Sequence, residues 1–457
     1  MLESREKVMT TKSGKLPKRA IYAYGLGDFA SNLTNTLMSS YLSIFYTDIV
    51  GIAPVIVSIM FLVAKIWDGI NDPMFGAIAE RTNTKKGRFR PYIFYFTPFL
   101  AISAVLVFTK VGIGGTSSVI WAAVTYILWG MLYTVVNVSY GSLSTVMTTD
   151  PDDIAQLNSF RMIGTYVASV GLSMITPMIL TKVSGGTTYT AKGYQLVAII
   201  YAVCSIPLFY LLYANCKETI KPKKSSTNVS IATSLKSVLS NRPLLLVFAT
   251  MFLCMLAFFG RLGIVIYYII YYLGRPDLIS VCMALPSVMS IIGILVTKNL
   301  VVKLGKKKFC AIGFIGSGLS LIIMYFVPAS NTTAIIILHA LYGFFGFNAP
   351  IPMSMIPEAI DYQEDKTGIR SDGISYAAVS LSTKIGGAIG PSLALLVMSG
   401  FGYVANAQQS ARALQGINIS ANLVFGIFYL LSLIPLALYP LNAEKNAEIR
   451  ARLDEKK

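Results

Sequence analysis

Apolar runs of about twenty residues, separated by short polar breaks, recur along nearly the whole chain. As helices, such runs are long enough to cross a hydrocarbon core roughly 30 Å thick. The pattern predicts an all-α membrane protein with twelve transmembrane helices, near residues 20–47, 52–79, 92–112, 117–147, 159–181, 194–214, 243–272, 279–301, 309–328, 332–358, 374–399 and 416–440. Breaks on one side, at 47–51, 272–278 and 328–332, are short and poor in Lys and Arg. The other side carries Lys15, Lys18 and Arg19, then Arg81, Lys85, Lys86, Arg88 and Arg90, then Lys217, Lys221, Lys223 and Lys224, then Lys303, Lys306, Lys307 and Lys308. Basic loops mark the cytoplasmic face, so both termini are expected there, with the chain spanning the bilayer of the cell membrane.

The longest internal polar connection, Cys216 to Arg242, divides the spans six and six. The expected parts are a tail over 1–19, a six-helix bundle over 20–214, a linker over 215–242, a second bundle over 243–440 and a tail over 441–457. The connections after the second and eighth spans are basic in the same way, Arg-Thr-Asn-Thr-Lys-Lys-Gly-Arg and Lys-Leu-Gly-Lys-Lys-Lys. This repetition suggests the major facilitator fold, in which substrate binds at the midplane between halves.

Composition narrows the function. Of 457 residues, 54% are hydrophobic and 13% charged, with a mean hydropathy of +0.64. Soluble domains carry roughly 25% charged residues. The net charge of +17 would suggest nucleic acid in a soluble protein, but its confinement to alternate loops makes topology the reason, and no nucleic-acid partner is expected. Five scattered cysteines show neither metal spacing nor a disulfide framework. His339, the only histidine, lies in an apolar run and reads as a helix-interface residue. No nucleophile–base set or metal cluster appears, so neither enzyme nor cofactor is expected.

Ionisable residues inside the spans carry the chemistry, because each costs at least roughly 2.5–3.5 kcal/mol at that depth unless paired or wetted. The second span contains Lys65-Ile-Trp-Asp68-Gly-Ile-Asn-Asp72-Pro73. Asp68 and Asp72 share a helix face, with Lys65 one turn before. Pro73 cannot donate to the carbonyl of Gly69, so two carboxylates and a free carbonyl make a hard-oxygen site for a small cation or a proton. The alternative is a buried ion pair, but one lysine neutralises only one of two acids. Asp28, Asn32 and Asn35 share a face of the first span, with Gly25 and Gly27 allowing close helix approach. Thr134 and Asn137, one turn apart, offer oxygens to a cation or a sugar. Arg161 either snorkels at the boundary or points into a cavity. Arg261 is a mid-span guanidinium without a local acid; it either pairs with Glu358 or Asp28 or clamps an anionic substrate group. Lys384 needs a counter-charge, and Asp68 or Asp72 across the pseudo-two-fold would serve, with a small-residue packing face following it. The acids between Glu358 and Asp372 read as mostly solvated, with salt-bridge gating against the other cytoplasmic loops as the alternative.

Several motifs together resemble the glycoside–pentoside–hexuronide:cation symporter family: Tyr24-Gly-x-Gly, Phe45-Tyr-Thr-Asp48, Trp67-Asp-x-x-Asn-Asp-Pro73, Gly87-Arg-Phe-Arg-Pro91, Asp361-Tyr362 with Lys366-Thr-Gly-x-Arg370, and Lys384. The resemblance covers essentially the whole chain. Gly-Leu-Gly-Asp28, Tyr140-Gly-Ser-Leu143 and Gly402-Tyr-Val-Ala-Asn406 look most like the family's glucuronide carriers. It implies uptake of a glycoside by alternating access, coupled to Na⁺, H⁺ or Li⁺. By similarity to the melibiose carriers, Asp68, Asp72 and Thr134 match cation ligands, which makes the acids the metal site if the ion is Na⁺. Lys384 matches a helix XI lysine and Arg161 a sugar-site arginine. Where those carriers use two aspartates to hold a galactoside, this chain has Asn32 and Asn137; Ser31 and Gly141 also depart from their pattern.

The two amides remove carboxylates that would repel a uronate, and Arg161, Lys384 and Arg261 would favour one; neutral pentosides and glucosides remain open. The expected substrate residues are therefore Asp28, Asn32, Asn137, Arg161, Arg261 and Lys384, with Lys65 and Lys384 as charge partners of the cation site. A monomer is the expected working unit. A cation-coupled lysolipid symporter and a non-transporting sugar sensor are the alternatives.

Overall fold

The computed structural model describes residues 15–455 except 83, 113, 149, 187–188, 220–238, 347–350, 369 and 371. Most of the expected linker and of the N-terminal tail lies outside the described residues. The first half comprises α1 (Lys18–Ile44), α2 (Pro54–Arg81), α3 (Arg90–Val107), α4 (Gly115–Met147), α5 (Pro151–Ser184) and α6 (Ala191–Asn215). The second comprises α7 (Arg242–Tyr267), α8 (Ile279–Leu304), α9 (Lys306–Phe326), α10 (Thr332–Phe345), α11 (Ile356–Thr367), α12 (Asp372–Gly400), α13 (Ala411–Leu438) and α14 (Ala443–Glu455). Ten spans among the described residues are long and apolar enough to cross a membrane.

The helices are inverted relative to those of a soluble protein. On α2, Ile59, Val63, Ile66, Ile70, Met74 and Ile78 form an exposed apolar stripe. Their spacing of three and four residues keeps them on one face, suited to lipid, and turns Lys65, Asp68 and Asp72 toward the other helices. Small residues set how closely helices approach. A Cβ on Gly25 of α1 would lie 2.8 Å from the Phe160 carbonyl oxygen of α5, so α1 and α5 meet backbone to backbone. On α12, a Cβ on Gly386 would lie 2.7 Å from the Phe252 carbonyl oxygen of α7, and one on Gly390 would lie 2.7 Å from the Gly260 nitrogen. The expected packing face after Lys384 is therefore present, against α7.

Local capping explains one sequence motif. Gly87 adopts φ +112°, and a Cβ there would strike the Glu218 carboxylate. The Glu218 oxygens accept from the backbone N–H groups of Arg88, Phe89 and Arg90 at 2.7, 2.7 and 3.0 Å. A carboxylate from the start of the linker thus satisfies free donors at the N-terminus of α3 and suits its dipole.

Two expectations change at the basic end of the second half. The tenth span, expected as one helix over 332–358, stops at Phe345; a 3₁₀ turn follows at Pro352–Met355, then α11. Pro352 and Pro357 lack an N–H to continue a helix but fit the first turn of a new one. The acids expected to be solvated are instead engaged. Arg370 bonds Asp361, Glu364 and Asp372 at 3.0, 2.7 and 2.8 Å. Arg450 and Arg452 of α14 reach Asp361 and Asp365 at 3.2 and 2.9 Å, docking the C-terminal segment on α11.

Candidate functional site

The charged face of α2 meets α4 and α12. Lys65 Nζ lies 2.9 Å from Asp68 Oδ2, an i,i+3 pair. Of the two acids expected to answer Lys384, it is Asp72: its Oδ2 is ion-paired to Lys384 of α12, in the other half and 312 positions along the chain. The Thr134 hydroxyl of α4 donates to Asp72 Oδ1 at 2.6 Å. Asp72 thus joins α2, α4 and α12. Its side chain is 16% exposed and that of Lys384 is 42% exposed, so water reaches the pair. Gly130 was not foreseen from sequence: a Cβ there would lie 2.9 Å from Asp68 Oδ1. Its missing side chain lets the carboxylate sit against the body of α4. Among the described residues, Asn71 Nδ2 of α2 is buried without a partner.

On α1 and α5, Arg161 Nε lies 2.8 Å from Asp28 Oδ2. Arg161 therefore does not snorkel alone; it is half-buried against an acid of its own bundle. It also lies over the rings of Tyr140 and Tyr24, with centroid distances of 5.0 and 5.8 Å. The Asn32 amide donates to the Asp28 carbonyl at 2.8 Å while lining the central cavity. Asn137 is half-buried and does not wall that cavity.

That cavity, about 270 Å³, lies between the halves. Its first-half wall is hydroxyl- and amide-rich: Asn32, Asn35, Thr36 and Ser39 from α1, with Thr165 and Ser169 from α5. The opposite wall carries Phe258, Phe259 and Arg261 from α7, with His339 and Tyr342 from α10. A smaller cavity of about 50 Å³ shares Asn35, Ser39 and Phe259 with it and reaches Lys65. Sugar hydroxyls, the apolar faces of a pyranose ring and a charged substituent would each find matching partners here. Arg261 pairs with neither of the acids considered from sequence, because Asp28 is held by Arg161 and Glu358 by Lys306 at 2.6 Å.

A third cluster closes the end opposite the basic loops. Asp48, just beyond α1, accepts from the Thr47 hydroxyl at 2.5 Å, from the Tyr403 hydroxyl at 2.6 Å and from the Tyr271 hydroxyl. The Asn406 amide donates to the Asp48 carbonyl oxygen. The Thr47 and Tyr267 hydroxyls are 2.8 Å apart, and Ser392 donates to the Ser58 carbonyl at 3.1 Å. These contacts pin the first half to the second. Sequence reading noticed the Thr-Asp48 and Tyr403…Asn406 motifs but gave them no role.

Comparison with known proteins agrees with this architecture. Residues 23–443 match the family model described as MFS/sugar transport protein. The chain is 31% identical over 451 residues to the isoprimeverose transporter of Lactiplantibacillus pentosus, covering 95% of this chain and 93% of that protein. It is 28% identical to a putative glycoside/cation symporter of Escherichia coli, covering 94% and 93%. The fold resembles an inward-facing, unoccupied bacterial homologue of the human lysosomal transporter Spinster, with a TM-score of 0.67, 15% identity, and coverage of 94% and 100%.

Proposed function

The chain belongs to the MFS/sugar transport protein family, among the glycoside–pentoside–hexuronide:cation symporters, and from that premise we propose how it couples its two substrates. It is a multi-pass membrane transporter that carries a sugar together with a cation, and not an enzyme. The relatives' names give no support to the lysolipid or sensor alternatives.

The coupling cation binds at Asp72, Asp68 and Thr134. The observation that carries this reading is the double engagement of Asp72, by the Thr134 hydroxyl and by the Lys384 ammonium. Lys384 occupies the place of the ion when the site is empty. An arriving cation takes over the carboxylate and releases Lys384, which loosens the bridge between α2 and α12. Binding therefore differs between conformations, as coupling requires. Two carboxylates and a hydroxyl oxygen suit a small hard cation such as Na⁺ or Li⁺, whereas a proton needs only one carboxylate.

The sugar binds in the central cavity, its hydroxyls on the Asn32, Asn35, Ser39 and Ser169 wall. Asp28 and Arg161 hold α1 to α5 behind that wall. Rocking of the halves about the cavity then exposes it to each face in turn. The basic end is the cytoplasmic one, and the membrane is the cell membrane. Cavity and cation site are both built by one chain, so the transport unit is a single copy.

The test is sugar uptake into proteoliposomes at fixed pH with Na⁺ inside and outside varied independently. A downhill Na⁺ gradient is expected to drive accumulation. Accumulation that follows a pH gradient and ignores Na⁺ would replace Na⁺ with H⁺ at the same carboxylates.

A further inference from the structure

Asp48 sits just beyond α1, in the break between the first two spans at the end opposite the basic loops, and is 9% exposed. It lines neither the central cavity nor the cation site. Its Oδ1 accepts from the Thr47 hydroxyl at 2.5 Å and from the Tyr403 hydroxyl at 2.6 Å, and its Oδ2 accepts from the Tyr271 hydroxyl. Thr47 belongs to the first half, whereas Tyr271 and Tyr403 come from the second. Tyr267 and Tyr271 stand edge-on to Tyr403, with centroids 5.6 and 5.4 Å away, so three rings wall the carboxyl in. Among the described residues no basic side chain forms an ion pair with it. The neighbouring ammonium, Lys110, donates to the Ile49 carbonyl at 2.6 Å instead. Arg275 and Asp277, beyond α7, pair with each other at 2.7 Å. Tyr194 of α6 is the remaining titratable side chain within reach of its charge.

The three hydroxyls are neutral and offset only part of the cost of taking a carboxylate out of water. Burial without a counter-charge pushes the Asp48 carboxyl above the usual carboxylate range, with the hydroxyls of Thr47, Tyr271 and Tyr403 pulling the other way. Two of these donors lie across the junction of the halves, so parting the halves at this end opens the cage and wets the carboxyl. We propose that Asp48 is a proton-binding site of the outer face, loaded as that face closes and emptied as it opens. The proton comes from the outside water and returns to it, so this site transports nothing. Once protonated, the carboxyl donates from one oxygen, and the hydroxyl there turns to accept. The closed face holds the proton more tightly than the open one, so acid outside favours closure by the same factor. That gain grows as pH falls from the caged value toward that of a wet carboxyl, and is lost as pH rises through the caged value. The site stands apart from the acids of α2, so it shifts the conformational balance whichever cation is carried. It goes beyond the coupling scheme above and shares with it only the rocking of the halves.

The test is a spin-label distance measurement across the outer face, on the full chain in nanodiscs, from about pH 4 to about pH 8, a range that brackets a raised carboxyl. Thr116→Cys at the start of α4 and Arg412→Cys at the start of α13 carry the labels; both positions are exposed and lie in opposite halves. The exposed Cys204 is replaced by serine. No sugar is added, so the outcome is independent of which sugar is carried. The shorter distance should gain population several-fold on acidification. Asp48→Asn is uncharged at every pH, so its distances should stay at the closed value and ignore pH. Tyr403→Phe removes a hydroxyl that favours the charged form, so closure should set in at a higher pH; this variant serves if the asparagine one fails to insert. The proposal is overturned if the labelled protein with Asp48 intact ignores pH, or if acid opens its outer face. It also falls if Asp48→Asn keeps the full response, which would put the titrating group elsewhere.

Discussion

The charges around α2 and the charge on α7 are solved in opposite ways. Lys65 with Asp68, Asp72 with Lys384 and Asp28 with Arg161 each find a counter-charge inside the protein. Arg261 finds a neutral imidazole, a thioether and an aromatic ring. A charge already answered can respond only by exchanging partners, which is what a site switched by a competing ion requires. The acids can therefore answer an arriving cation by trading partners, whereas Arg261 has no counter-charge among the described residues to trade.

The strongest way to break this comparison is at Asp72. Asp72→Asn keeps an oxygen for Thr134 but removes the carboxylate paired with Lys384. Uphill accumulation should fall to the equilibrium ratio of one, measured in vesicles with an imposed ion gradient, while immunoblots show the protein in the membrane. Asp68→Asn should do the same. Full accumulation by both variants would remove the cation from this face of α2.

The next test reads the charge that moves with the sugar. One cation carried with a neutral sugar moves one charge, for which 100 mV supplies roughly 2.3 kcal/mol, about fiftyfold in accumulation. One cation carried with a uronide moves none. Clamping the membrane potential at constant ion gradient should therefore leave glucuronide accumulation unchanged. A fiftyfold response would mean a neutral substrate or a second cation.

A smaller effect is expected at Lys384. Its side chain is 42% exposed, so its attraction to Asp72 is screened and worth no more than about 1 kcal/mol. Lys384→Gln removes the competitor for the site. The apparent affinity for the coupling cation should tighten by roughly up to fivefold, read from the ion dependence of uptake. Weaker cation binding instead would make Lys384 part of the receptor rather than its placeholder.

Much of this was legible in the chain. Span lengths, the basic loops, the acid pair on one face of α2 and the small residues after Lys384 follow from periodicity and composition. So does the idea that Lys384 answers an acid of the first half, because a lone lysine in hydrocarbon restricts its own partners. What stayed hidden depends on contacts that no local pattern encodes. Glu218 caps α3 from about 130 positions away, and Tyr271 and Tyr403 reach Asp48 from more than two hundred. That no acid among the described residues pairs with Arg261 depends on every helix packed around it. Spacing left Asp28 and Glu358 open as partners, and only their engagement with Arg161 and Lys306 excludes them.

The finest test concerns Gly130, where the acids meet α4. Its missing Cβ is what leaves room for Asp68 Oδ1, which would otherwise lie 2.9 Å from it. The obstruction is the end of a short side chain rather than backbone, so Gly130→Ala should fold and insert normally. The carboxylate would shift by a few tenths of an ångström and lengthen its distance to an ion shared with Asp72. An oxygen site for a small cation tolerates such a shift poorly. The expected result is a loss of a few-fold in apparent cation affinity, with sugar affinity in counterflow unaltered. Unchanged cation affinity in Gly130→Ala, beside lost coupling in Asp68→Asn, would show that Asp68 contributes its charge without a fixed position, leaving Asp72 and Thr134 to set the geometry.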